Sequence, residues 1–185
     1  SAAGPSVTDA PTQTAVIDMS SWWPFGDDDE PEQQTESAAP AGYTDFRSRT
    51  NAARGIRNNN PGNVERAGYA WQGLAPNQTD SRFGVFVAVE YGIRAMARDL
   101  MTGYGRGEDT IREIITQYAP HNENDTNAYS KSVEQSTGWD SGRKLNLHRD
   151  AELAKLIRAM IAVETGRDHT LVTDRMIKTG IKLER

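Results

Sequence analysis

The chain of 185 residues contains no cysteine, which excludes disulfides, thiolate metal centres and a cysteine nucleophile. No apolar run approaches the roughly 20 residues that a membrane-spanning helix needs. The N-terminal residues lack a charged-then-apolar signal pattern, so any export is expected to use another route. No dense Lys/Arg stripe with interleaved aromatics occurs, so nucleic acid is not an expected partner. The three histidines, His121, His148 and His169, are scattered without metal-ligand spacing. There is no HExxH, no glycine-rich phosphate loop and no nucleophilic-serine motif, and no metal or cofactor is expected.

Residues 1–46 also lack Lys and Arg altogether while holding nine acidic residues. The other 21 basic and 17 acidic residues leave residues 47–185 at +4, a split hidden by the overall charge of −5. The first segment is rich in Ala, Ser, Thr, Pro and Gln, a composition that buries too little apolar surface to offset its ordering entropy. Two parts are therefore expected: an acidic, flexible arm over 1–46 and a folded, mildly basic domain over 47–185. One apolar island, Trp22, Trp23 and Phe25, precedes the acidic run Asp27–Glu30. It reads either as a docking motif for another protein of an assembly or as a chance cluster in a linker.

The periodicity of the domain is mainly helical. Turn formers crowd Arg57–Val64, and short strands are expected at Tyr69–Gly73 and Arg82–Val87. Apolar residues three or four apart from Val89 to Tyr104 predict a helix. Thr110 with Glu113 predicts a capping box for a helix over Ile111–Tyr118. Asp125 or Thr126 is expected to cap a further helix that ends at Gly138, Asp150 to cap one over Ala151–Glu164, and a short helix to follow Thr173. The fold class is α+β, mainly α, with a small β-hairpin region.

Leu153, Leu156, Ile157, Met160 and Ile161 form one stripe, and Glu164 continues it. Partial burial and the negative end of the helix dipole both favour the protonated carboxyl there. Such a group can protonate a leaving oxygen, the task of a glycosidase general acid. The alternative is a glutamate that turns outward at a helix end.

The run Arg54-Gly-Ile-Arg-Asn-Asn-Asn-Pro-Gly-Asn63 is followed by Trp71-x-Gly73, Phe83-x-x-Phe86, Tyr91-Gly-Ile-Arg-Ala95, Tyr118-Ala-Pro120, Glu123-Asn-Asp-Thr126 and Tyr129. Together these blocks, about residues 53–166, resemble phage virion-associated lytic enzymes of the lysozyme-like superfamily. More loosely they are similar to bacterial glucosaminidases of that superfamily, in which a helix ending in Glu-Ser-Gly precedes the Asn-rich loop. Here Glu164-Thr-Gly166 closes a helix after that loop, so the resemblance implies a lysozyme-like domain with a circularly permuted order. It further implies cleavage of the β-1,4 bond between MurNAc and GlcNAc in peptidoglycan glycan strands, by a lytic transglycosylase or a muramidase. The setting implied is a virion-associated protein acting on the host cell wall, in the periplasm, during entry.

Catalytic candidates are Glu164 and Glu123, the latter at a helix N-terminus where the ionised form is favoured. Glu123 reads either as a base or as a loop-tying carboxylate. Glu65, Asp80 and Glu90 are weaker choices for a second carboxylate. Asn60 and Asn63 are candidate ligands of acetamido and hydroxyl groups, and Trp71, Tyr104 and Tyr129 are candidate sugar platforms. Two other functions stay open: a peptidoglycan endopeptidase on the same scaffold, and a non-enzymatic virion component.

Overall fold

The computed structural model describes residues 38–119 and 122–185, apart from the side chains of Glu123 and Asn124. Trp22, Trp23 and Phe25 lie outside the described residues. The described residues all belong to one unit, Thr35–Arg185. Among the described residues there are six α-helices: α1 (Arg54–Arg57), α2 (Val89–Gly105), α3 (Ile111–Tyr118), α4 (Glu123–Thr137), α5 (Asp150–Thr165) and α6 (Asp174–Glu184). A 3₁₀ turn over Gly166–Leu171 links the last two.

The mainly helical class is observed, and α5 shows why. Its stripe Leu153, Leu156, Ile157, Met160 and Ile161 is fully buried, each side chain stabilising the fold by about 1.5–3 kcal/mol through burial. Asp150 and Glu152 complement the dipole in the first turn. The helix stops at Gly166, whose φ of 60° is in the left-handed region. α5 packs against α4 and α6, and α6 lies along α2. Gly180 of α6 sits on Ile93 of α2, where a side-chain carbon would collide with the Ile93 Cβ at 2.6 Å.

The capping box at Thr110 is present: its hydroxyl accepts from the Glu113 N–H, and Glu113 accepts from the Thr110 N–H. Gly138 ends α4 with φ 74°. Two helix starts differ from expectation. α4 begins earlier, capped by Asn122, which accepts from the Asp125 N–H at 2.9 Å. α5 includes Asp150, and its N-cap Arg149 makes no side-chain cap bond.

The expected strands reduce to two isolated antiparallel bridges, Glu65 with Phe83 and Leu74 with Phe86. Tyr69–Gly73 is irregular, ending in a turn at Gln72 and Gly73, rather than strand. The segment 82–87 instead runs between 64–66 and 73–75, bonded by Gly84 N–H to Val64 O, Arg66 N–H to Arg82 O, and Ala75 N–H to Val85 O.

The folded body also begins before Arg47. Phe46 is buried, its N–H bonds Asn59 Oδ1 at 2.7 Å, and the Thr44 N–H bonds the buried Glu90 carboxylate at 2.9 Å. Residues 43–46 therefore pack as part of the domain, although their charge resembles that of the preceding segment.

Candidate functional site

The Asn-rich loop is a structural knot before it is anything else. Asn60 is fully buried. Its Nδ2 donates to Val64 O and Gly84 O, both at 2.9 Å, and its Oδ1 accepts from the Val64 N–H. Every polar atom of that side chain is spent on backbone, so the expectation that Asn60 contacts a sugar is corrected. Asn59 likewise holds Phe46, Asp45 and Phe86, and Asn58 donates to Asp80.

Asn63 differs because its side chain points to α5. Its backbone takes φ 48°, a conformation asparagine tolerates better than most residues. Its Nδ2 donates to Glu164 Oε2 at 2.8 Å, and its buried Oδ1 has no hydrogen-bond partner among the described residues. The approach depends on Gly55 in α1, where a Cβ would stand 2.9 Å from Asn60 O, 3.0 Å from Asn63 Oδ1 and 3.3 Å from Thr165 Cγ2. A second tie holds the same corner: the Ala53 N–H donates to Asp168 Oδ2 at 2.7 Å, just after α5.

Glu164 is half-buried at the end of α5. Its Oε1 accepts from the Tyr129 hydroxyl at 3.2 Å. Tyr129 is buried in α4, so it supports the carboxyl from beneath rather than offering a sugar platform. Tyr118 donates to Gly62 O at 2.6 Å. Burial pushes both phenols well above the ordinary tyrosine range, and the charge of Glu164 adds to that shift.

Glu164 and Asn63 line a groove of about 370 Å³ with Trp71, Tyr69, Glu65, Arg82, Asp99 and Tyr118 among the other walls, a size in the usual range for ligand sites. Trp71 donates its indole N–H to Glu65 O at 3.1 Å and tilts against Tyr69, with ring centroids 5.3 Å apart. Tyr69 is 63% exposed, the one large apolar side chain so presented among the described residues. It stands after the left-handed pair Ala67 and Gly68, with φ 40° and 78°.

The remaining candidates fall elsewhere. Tyr104 is not part of the groove; its ring meets His148 edge-on at 5.2 Å. Glu123 opens α4, and its side chain lies outside the described ones. Asp80 is a brace: it accepts from Arg54 at 2.6 and 2.7 Å, from Asn58, and from the Arg82 and Phe83 N–H groups. The Arg54 guanidinium holds its carboxyl far below the usual range. Glu90 binds the Thr44 N–H, and Glu65 pairs with Arg82 at 2.6 Å.

Asp99 and Tyr69 are among the groove residues that the sequence did not single out. Asp99 lies three positions after Met96 and four after Ala95, both fully buried, a signal that its helix position borders the core face. Asp99 is exposed on α2, and the partial desolvation of its carboxyl by the surrounding groove raises it above the ordinary range, with Arg106 opposing the shift and Glu108 adding to it. Tyr69 carries no signal beyond its neighbours Ala67 and Gly68. No group of three or more His, Asp or Glu side chains suited to a metal ion occurs among the described residues. No described helix is long and apolar enough to cross a membrane.

No protein-family model matches the chain. Protein P5 of Pseudoalteromonas phage PM2 is 39% identical over 135 residues, which cover 70% of this chain and 82% of that protein.

Proposed function

The chain is a bacteriophage protein of the family of protein P5 from Pseudoalteromonas phage PM2, and from that premise we propose that it is a virion-associated enzyme that cleaves the β-1,4 bond between MurNAc and GlcNAc in peptidoglycan. Glu164 is the general acid. The observation that carries this reading is its setting: a half-buried carboxyl that lines a groove, held by Asn63 on one oxygen and Tyr129 on the other. A carboxyl held at a fixed angle can deliver a proton to a leaving O4 without the cost of ordering its side chain during the reaction.

The groove supports a glycan as the substrate. Tyr69 and Trp71 offer flat apolar faces to sugar rings, and Arg82 and Gln117 offer hydrogen-bond groups beside them. The lysozyme-like fold belongs to the proposal too. Its support is that the helix ending in Glu164 packs against α1 and the Asn-rich loop, although it follows them by about a hundred residues. That is the neighbourhood a circularly permuted arrangement requires. In the virion, the residues ahead of Tyr43 serve as the arm that fastens the domain to other phage proteins through Trp22, Trp23 and Phe25, and the domain acts on the host wall in the periplasm.

Digestion of purified sacculi, with mass spectrometry of the released muropeptides, tests the reading. New glycan ends from the wild-type chain and none from Glu164→Gln support it. New peptide amines without new glycan ends would mark an endopeptidase instead. No release of either kind leaves a structural virion component.

A further inference from the structure

Three acidic side chains line the groove: Glu65, Asp99 and Glu164. Their surroundings divide the work. Glu65 Oε1 accepts two bonds from Arg82, at 2.8 and 2.6 Å, and so spends its charge on an ion pair. Glu164 is fixed by Asn63 and Tyr129. Asp99 has no hydrogen bond or ion pair among the described residues, and Arg106, whose charge reaches it, pairs with Glu108 at 3.1 Å instead. Asp99 and Glu164 line the same groove, with Tyr118 as a shared wall.

We propose that Asp99 is the second catalytic carboxylate, the base that activates water, and that the chain is a hydrolase rather than a lyase. This rests on the reading of Glu164 as the general acid of glycan cleavage. An uncommitted carboxylate in the same groove can accept a water proton; one already paired with arginine is a poor acceptor. The water oxygen bonds to the sugar C1 as Asp99 takes its proton. The C1–O4 bond breaks, its electron pair leaves with O4, and O4 takes the proton of Glu164. Exchange with solvent then returns a proton to Glu164 and removes one from Asp99. The product carries a free reducing end. A lyase with no such base would close the sugar's own 6-hydroxyl onto C1 and leave an anhydro end.

The test is muropeptide analysis of sacculi digested by the wild-type chain, Asp99→Asn, Asp99→Ala and Glu164→Gln. The wild type is expected to give reducing ends. Asp99→Asn is expected to lower kcat by about 100-fold or more, with KM nearly unchanged and the fold intact by circular dichroism. Azide, an anion that needs no base, is expected to restore bond cleavage to Asp99→Ala and to leave a glycosyl azide; a merely structural aspartate gives no such rescue. Anhydro ends from the wild type, or full activity of Asp99→Asn, overturn the role of Asp99 while Glu164 stands if Glu164→Gln is inactive. A wild-type chain that opens no glycosidic bond overturns both readings.

Discussion

The Asn63 side-chain amide donates to Glu164 Oε2 at 2.8 Å, across 101 positions of sequence. This bond joins a turn near the start of the folded unit to the last turn of α5. It also orients the carboxyl toward the groove, because Tyr129 holds the other oxygen from the core side. Removing either donor should therefore change how the carboxyl is aimed, with little change in what the groove can bind.

Asn63→Ala is expected to lower kcat by about tenfold, the cost of about 1.4 kcal/mol of lost orientation. KM should change much less. Ala also tolerates the left-handed backbone at this position poorly, adding a stability loss of roughly 1 kcal/mol. Asn63→Gly separates the two effects: it relieves the backbone and still loses the amide, so its thermal midpoint should recover while kcat does not. Steady-state kinetics and thermal melts on both variants check this.

Tyr129→Phe keeps the buried ring and removes the hydroxyl that reaches Glu164 Oε1. Its stability should change by no more than about 1 kcal/mol, while kcat falls. Equal loss of activity and stability would mark Tyr129 as packing only.

Asp80 gives the pH prediction. Its folded-state carboxyl is held far below the ordinary value by Arg54, opposed in part by burial and helped by the Phe83 and Arg82 N–H groups. A depressed folded value means that the stabilisation is fully present above the unfolded value, near 3.8, and is lost as pH falls below it. Asp80→Asn should cost on the order of 2 kcal/mol near neutral pH, because charged acceptor bonds are lost in a buried setting. The gap between the two proteins should shrink steadily in urea melts run below pH 4. A gap that does not depend on pH would contradict the charge account.

Gly92→Ala tests the packing beneath the site. A Cβ at Gly92 would overlap the Asn59 carbonyl, a backbone atom that cannot swing aside. Overpacking of this kind costs about 1–3 kcal/mol. The variant should melt earlier, and its activity should fall as the Asn-rich loop is pushed off α2. An unchanged thermal midpoint would contradict the contact.

Much of this was legible in the sequence where the signal is local. The α5 stripe, the Thr110–Glu113 box and the Gly138 stop each follow from spacing or from one residue's backbone preference. The position of Glu164 on the continuation of an apolar stripe was legible for the same reason. What was not legible depended on contacts between distant segments. Asn60 and Asn63 are three residues apart and chemically identical, yet one is buried among backbone carbonyls and the other reaches Glu164. Only the packing of α5 on the loop separates them. Asp99 reads as an ordinary helix charge beside Arg98 until α3 and the 65–71 turn close a groove around it. The boundary at Arg47 followed the charge, whereas the fold follows Phe46, an apolar residue placed among acidic neighbours.

The proposed role of Glu164 is to protonate the leaving oxygen of a glycosidic bond. Muropeptide mass spectrometry of sacculi treated with the wild-type chain and with Glu164→Gln tests it most directly. New glycan ends are expected with the wild type and a loss of at least about 100-fold in the variant, with matching circular dichroism spectra. Full release of the same ends by Glu164→Gln would contradict it.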